Sequence, residues 1–128
     1  MNRLAVIGVL LVASTAPAQA TEWLICSNGD KASISVLLGQ MEVIAVADIM
    51  IEVGQKKWST KGDGATLITK GQAFETKDQI WIDVTDANVA GIVAQLRLFK
   101  ASEGDDYVSG GILRVADEGA WAVTCSGP

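Results

Sequence analysis

Two cysteines, Cys26 and Cys125, stand near the two ends of this chain, and they are the only ones in it. If they pair, one intramolecular connectivity is possible, and it closes a loop of about 100 residues. Bridged cysteines hold their Cα atoms about 5.5–6 Å apart. The segments around residues 26 and 125 must then be neighbours in space. For a loop of this size the chain-entropy model gives about 4–5 kcal/mol of stabilisation.

Such a bridge needs an oxidising compartment, and the first twenty residues predict one. Asn2 and Arg3 form a polar, positive start, and Leu4 to Ala13 is a run without charge. The segment then ends in Ala18-Gln19-Ala20. A charged start, an apolar middle and an A-x-A end are the marks of a secretory signal peptide. The expectation is a signal peptide over 1–20, cleavage after Ala20, and a single domain over 21–128 in the periplasm or outside the cell. A membrane anchor is the weaker alternative, because a bilayer core takes about 20 apolar helical residues. A lipoprotein would need its cysteine at the cleavage point, and Cys26 lies beyond it. No later segment is long and apolar enough to span a membrane.

Residues 21–128 hold 9 basic and 15 acidic side chains, a formal balance of −6. An acidic domain without a basic stripe argues against nucleic acid as a partner and suits a cationic protein. With no C-x-x-C and no histidine, the cysteines read as a structural disulfide and neither as a redox pair nor as a metal site.

Along the domain, apolar and polar residues alternate with the period of a strand. Ile34, Val36 and Leu38 oppose Ser33 and Ser35. From Val43 to Val53 every odd position is apolar, while the even positions mix Asp48 and Glu52 with Ile44, Val46 and Met50. Ile80, Ile82 and Val84 oppose Gln79, Trp81 and Asp83; Ala94, Leu96 and Leu98 oppose Gln95 and Arg97. Gly54-Gln55, Lys61-Gly62-Asp63-Gly64, Ser102 to Asp106 and Asp117-Glu118-Gly119 break these runs as turns, and Gly71 marks a bend or bulge. Val89, Ile92, Val93 and Leu96 also fit a helical spacing, so a turn or two of helix capped by Asp86 is possible. Eight or nine short strands with frequent turns predict an all-β fold. With the ends bridged, that is a small antiparallel meander barrel of about eight strands, closed or nearly so. A β-sandwich bridged between its sheets is the alternative.

The absence of histidine removes the Ser-His-Asp triad, Cys-His nucleophiles and imidazole zinc sites. A carboxylate pair is the remaining enzymatic option. Asp48 and Glu52 share a strand face, but four residues place them roughly 13 Å apart. Asp83 would have to approach one of them across strands. Gly62-Asp63-Gly64 and Gly104-Asp105-Asp106 lack the D-x-[DN]-x-[DN]-G calcium pattern. No cofactor or metal is expected.

The tryptophans carry more information. Trp121 shares a face with Val123 and Cys125 and is expected to pack around the bridge, with Trp23 doing the same near Cys26. Trp81, on the face of Asp83, and Trp58, between Lys57 and Ser59, are candidate binding anchors, since an aromatic on a polar face gives large contact area at small entropic cost. The other reading of both is cover for a barrel end. Asp48 joins this candidate set because its strand is apolar on both faces, which suggests a second buried or binding surface. These features fit an exported, non-enzymatic protein-binding or inhibitor module. Small exported inhibitors of cationic lytic enzymes such as lysozyme have this general character, a likeness that rests on no shared motif. A carrier of a small apolar ligand, with room left by Ala45, Ala47, Ala94 and Gly111, and an envelope assembly accessory are the alternatives.

Overall fold

A computed structural model describes residues 21–39 and 44–128; the signal peptide expected over 1–20, with its cleavage after Ala20, and Val43 lie outside them. Nine strands follow one another: β1 (Thr21–Asn28), β2 (Ala32–Gly39), β3 (Ala45–Val53), β4 (Lys56–Ser59), β5 (Thr66–Glu75), β6 (Gln79–Asp86), β7 (Ile92–Glu103), β8 (Asp106–Val115) and β9 (Gly119–Ser126). Each pairs with the next, and β9 pairs with β1, so the sheet closes into a barrel. The expected all-β closed meander is therefore present, and the sandwich is not. All pairings are antiparallel except that of β4 with β5.

The inward side chains are those the alternation selects. Leu24, Ile34, Val36, Ile80, Ile82, Val84, Leu96, Leu98 and Leu113 are all buried. Branched aliphatics suit this role because they fill a pleated interior from stiff rotamers.

Cys26 and Cys125 face each other directly across the β1–β9 pair, with Cα atoms 4.0 Å apart. This ladder has only three rungs, Ile25↔Ser126, Cys26↔Cys125 and Ser27↔Thr124, and the disulfide is the middle one. The Asn28 side chain adds a bond, its Nδ2 donating to the Ala122 carbonyl at 2.7 Å. Trp121 lies on the inward side of β9 with Val123 and packs against the core. Trp23 does not join Cys26. It sits one residue out of phase with the buried Leu24 and Cys26, on the outer face with Ile25.

Three local features depart from simple alternation. In β3, the register against β2 slips between Leu37↔Asp48 and Leu38↔Val46, which leaves Ala47 as a bulge. Val46 on one side of the bulge and Ile49 and Ile51 on the other are thereby all buried, and Ala47 is exposed. The strand looks apolar on both faces because its phase changes, so Ile44 and Val46 belong to the one core rather than to a second surface. In β5, a second slip between Lys70 and Ala73 carries Gly71, where a β-carbon would press on the Asp83 carbonyl oxygen. After β6, the possible helix is a turn. The Asp86 carboxylate accepts from the Asn88 and Ala90 amides as a cap would. However, Val89 adopts φ +57, exposes its side chain and ends any helical path.

The short β4 leaves the barrel wall uneven. It pairs with β3 only from Met50 to Val53 and with β5 only at Trp58↔Thr66 and Ser59↔Leu67. Below it, one backbone bond and two side-chain bonds join β3 to the chain that follows. The Thr60 amide donates to the Ile49 carbonyl, the Ile49 amide donates to the Thr60 hydroxyl, and Lys70 Nζ donates to the Val46 carbonyl at 2.9 Å.

The β7–β8 hairpin, in contrast, outruns its neighbours. Pairing with β6 ends at Phe99 and pairing with β9 at Ser109, yet β7 and β8 stay paired to Glu103↔Asp106. Residues 101–108 form a two-stranded arm, exposed at every position, that turns at Gly104 (φ +59).

Candidate functional site

The register of β5 to β8 sets a row of outward side chains side by side: Phe74↔Trp81↔Arg97↔Ile112. In each strand the preceding alternation fixes which face they take. Trp81 is outward because Ile80 and Ile82 are inward, and Arg97 because Leu96 and Leu98 are. Cross-strand neighbours on one face lie close enough to interact pairwise.

Trp81 is the centre of this row. Phe74 meets it edge to face, with ring centroids 5.7 Å apart and planes at 85°. On its other flank the Arg97 guanidinium lies 4.9 Å from the ring centroid. The indole N–H donates to Gln79 Oε1 at 2.9 Å. Arg97 also donates to Asp83 Oδ1 at 2.7 Å and to the Leu96 carbonyl at 3.0 Å. A T-shaped aromatic pair adds about 0.5–1.5 kcal/mol beyond its burial, and a cation over a ring adds about 0.5–1 at an exposed site. Together these contacts hold the indole in one place while it remains 44 % exposed. Asp83 neutralises Arg97, so the face is apolar with one compensated charge. An open groove of about 500 Å³ runs between Gln72, Phe74, Trp81, Asp83 and Arg97.

The apolar face continues beyond the row. Phe99 lies across from Gly110, and Val108 follows on the arm. Phe99, Val108 and Ile112 are each more than half exposed. Gly110 and Gly111 let the strands come this close: a β-carbon at Gly111 would collide with the Arg97 carbonyl oxygen, and one at Gly110 would press on that of Val123.

Of the candidate residues, Trp81 and Asp83 therefore come together. Trp58 points inward opposite Ile51 and packs against the core. Asp48 lies at the β3 bulge, separated from β6 by β4 and β5. Its carboxylate accepts from the Thr60 hydroxyl at 2.8 Å and from Lys61 Nζ at 3.2 Å. The Thr60 hydrogen bond, aided by Lys61, holds its pKa below the usual carboxylate value against an opposing burial effect. Glu52 is paired with Lys57 on the outer surface. The two carboxylates of β3 thus have separate structural partners. Among the described residues no three acidic or cysteine side chains gather as a metal site would require.

No motif in the sequence singles out Phe74, Arg97, Phe99 or Ile112. The alternation places Arg97 outward; only the strand register shows that it lies beside Trp81. No family model matches the chain, and no match exists among curated proteins or solved structures.

Proposed function

We propose that this chain is an exported, non-enzymatic protein-binding module of the inhibitor type, which docks its partner on the outer face of β5 to β8. The observation that carries this reading is the rigidly held but half-exposed Trp81, flanked by Phe74 and Arg97. Aromatic and arginine side chains dominate the energetic centres of protein interfaces, and a pre-ordered anchor loses little freedom on docking. The acidic balance favours a cationic partner. Against an apolar-ligand carrier, the side chains of Ile34, Ile49, Ile51, Leu96 and Leu98 are all buried, none more than 1 % exposed.

Lysozyme is the first cationic protein to try. A pull-down at physiological salt should retain it with the parent chain and lose it with Phe74→Ala/Trp81→Ala. Neither binding nor inhibition of lysozyme by the parent chain would remove the inhibitor reading.

A further inference from the structure

The arm and the barrel wall beneath it form one surface with an uneven distribution of charge. Its apolar members are Phe74, Trp81, Phe99, Val108 and Ile112, which are between 44 % and 66 % exposed. At the far end of the arm stand Glu103, Asp105 and Asp106, and none of the three is in an ion pair among the described residues. At the other end of the strip Arg114 is exposed and donates to Gln95. The strip is therefore apolar along its length, acidic at one end and basic at the other.

Its dimensions narrow the kind of partner. From Arg97 to Glu103 is six residues along β7, roughly 20 Å at strand rise. From β5 to β8 is three strand spacings, roughly 14 Å. A helix of about 13 residues is roughly 20 Å long and about 10–12 Å wide with its side chains. One apolar helix face thus covers the strip from the Trp81 row to the arm tip.

We infer that this strip docks an amphipathic, cationic helical segment of the partner, apolar face down, with its lysines or arginines toward the arm tip. The inference rests on the protein-binding reading and deepens it by naming the chemistry of the bound element. Charge selects this occupant over a second copy of the chain. Another copy carries the same balance of 9 basic to 15 acidic residues over 21–128, which opposes its approach as a whole, and its strip would set the single cation Arg114 against three carboxylates at the tip. The arm is already paired up to Glu103↔Asp106, so it need not order itself to bind.

The test uses a 14-residue peptide of leucine and lysine with the leucines on one helical face, and a scrambled peptide of the same composition. Titration calorimetry with the parent chain at low salt should show binding of the first and at least tenfold weaker binding of the second. Phe99→Ser/Val108→Ser should weaken binding at least tenfold. E103Q/D105N/D106N should weaken it about fivefold and flatten its salt dependence. D30N/D63N/D117N, which removes the same charge from exposed positions elsewhere, should bind like the parent. All these positions are exposed, and thermal midpoints near that of the parent would verify folding. Equal loss in the two charge-neutralised variants, or equal affinity for the scrambled peptide, would overturn the inference. Absence of peptide binding with lysozyme still retained would overturn it and leave the protein-binding reading standing; absence of both would overturn the two together.

Discussion

The barrel wall closes in two unlike ways. Between β1 and β9, a ladder of three rungs carries a covalent bond at its middle one, and Cys26 is wholly buried. Between β3 and β5, a four-residue strand supplies two parallel rungs, and Thr60 and Lys70 supply side-chain bonds to β3 where strand pairing is missing. Both seams join few residues, so backbone pairing alone explains neither. The first is secured by a bond that water cannot compete for; the second depends on hydrogen bonds that are each worth about 0.5–1.5 kcal/mol net. The β3–β5 seam is therefore expected to open first under any general stress.

The largest effect should come from the covalent seam. Cys26→Ala/Cys125→Ala should lower unfolding stability by about 4 kcal/mol, as read from urea titration. A loss under about 1 kcal/mol would mean that the three rungs hold by themselves. Next is Trp58→Ala. Full truncation of a buried aromatic costs about 3–5 kcal/mol, and partial exposure of Trp58 puts its value nearer the lower end. The same variant should speed hydrogen exchange at the Ile49 amide more than at Cys26, since β4 is fixed to the core through this side chain. Thr60→Val keeps the shape but removes the hydroxyl that serves Ile49 and Asp48, and should cost about 1–2 kcal/mol. Uniform exchange across both seams in this variant would contradict the difference between them.

The smallest effect is the dependence on pH. The folded pKa of Asp48 lies below its unfolded value, so the ionised carboxylate favours the folded state. That contribution is complete above the ordinary carboxylate range and is lost as pH falls through the depressed folded value. Asp48→Asn should flatten this part of the acid limb of a stability–pH curve, and an unchanged slope would show that the Thr60–Lys61 pair adds nothing at this seam.

The two seams also differed in how far sequence could reveal them. The disulfide seam was legible because two cysteines have one connectivity and a bridge forces proximity. The other was not, because a bulge leaves no mark in composition: Ala47 keeps a perfect apolar alternation while the chain changes phase around it. Trp58 misleads for a related reason. Lys57 and Ser59 suggest an outward position, but the pairing of β4 with β3 turns the ring toward Ile51. At the candidate site, Trp81 and Asp83 were readable as outward members of one strand. Phe74, Arg97 and Ile112 needed cross-strand register, which depends on the Gly71 slip and the turn lengths. The Asp86 loop shows the limit of periodicity: Val89, Ile92, Val93 and Leu96 match a helix by spacing, yet only Leu96 is fully inside.

The strictly sequential order of the strands has a kinetic consequence. Every pairing from β1 to β9 but one joins elements adjacent along the chain, so the sheet can grow by local steps. The exception joins residues separated by 99 positions, and it must wait until the last strand exists. Nearest-neighbour growth should therefore be fast and ring closure slow, because contacts of high sequence separation limit folding rates. Until closure, β1 has an unpaired edge, and nascent chains share that hazard with any open sheet.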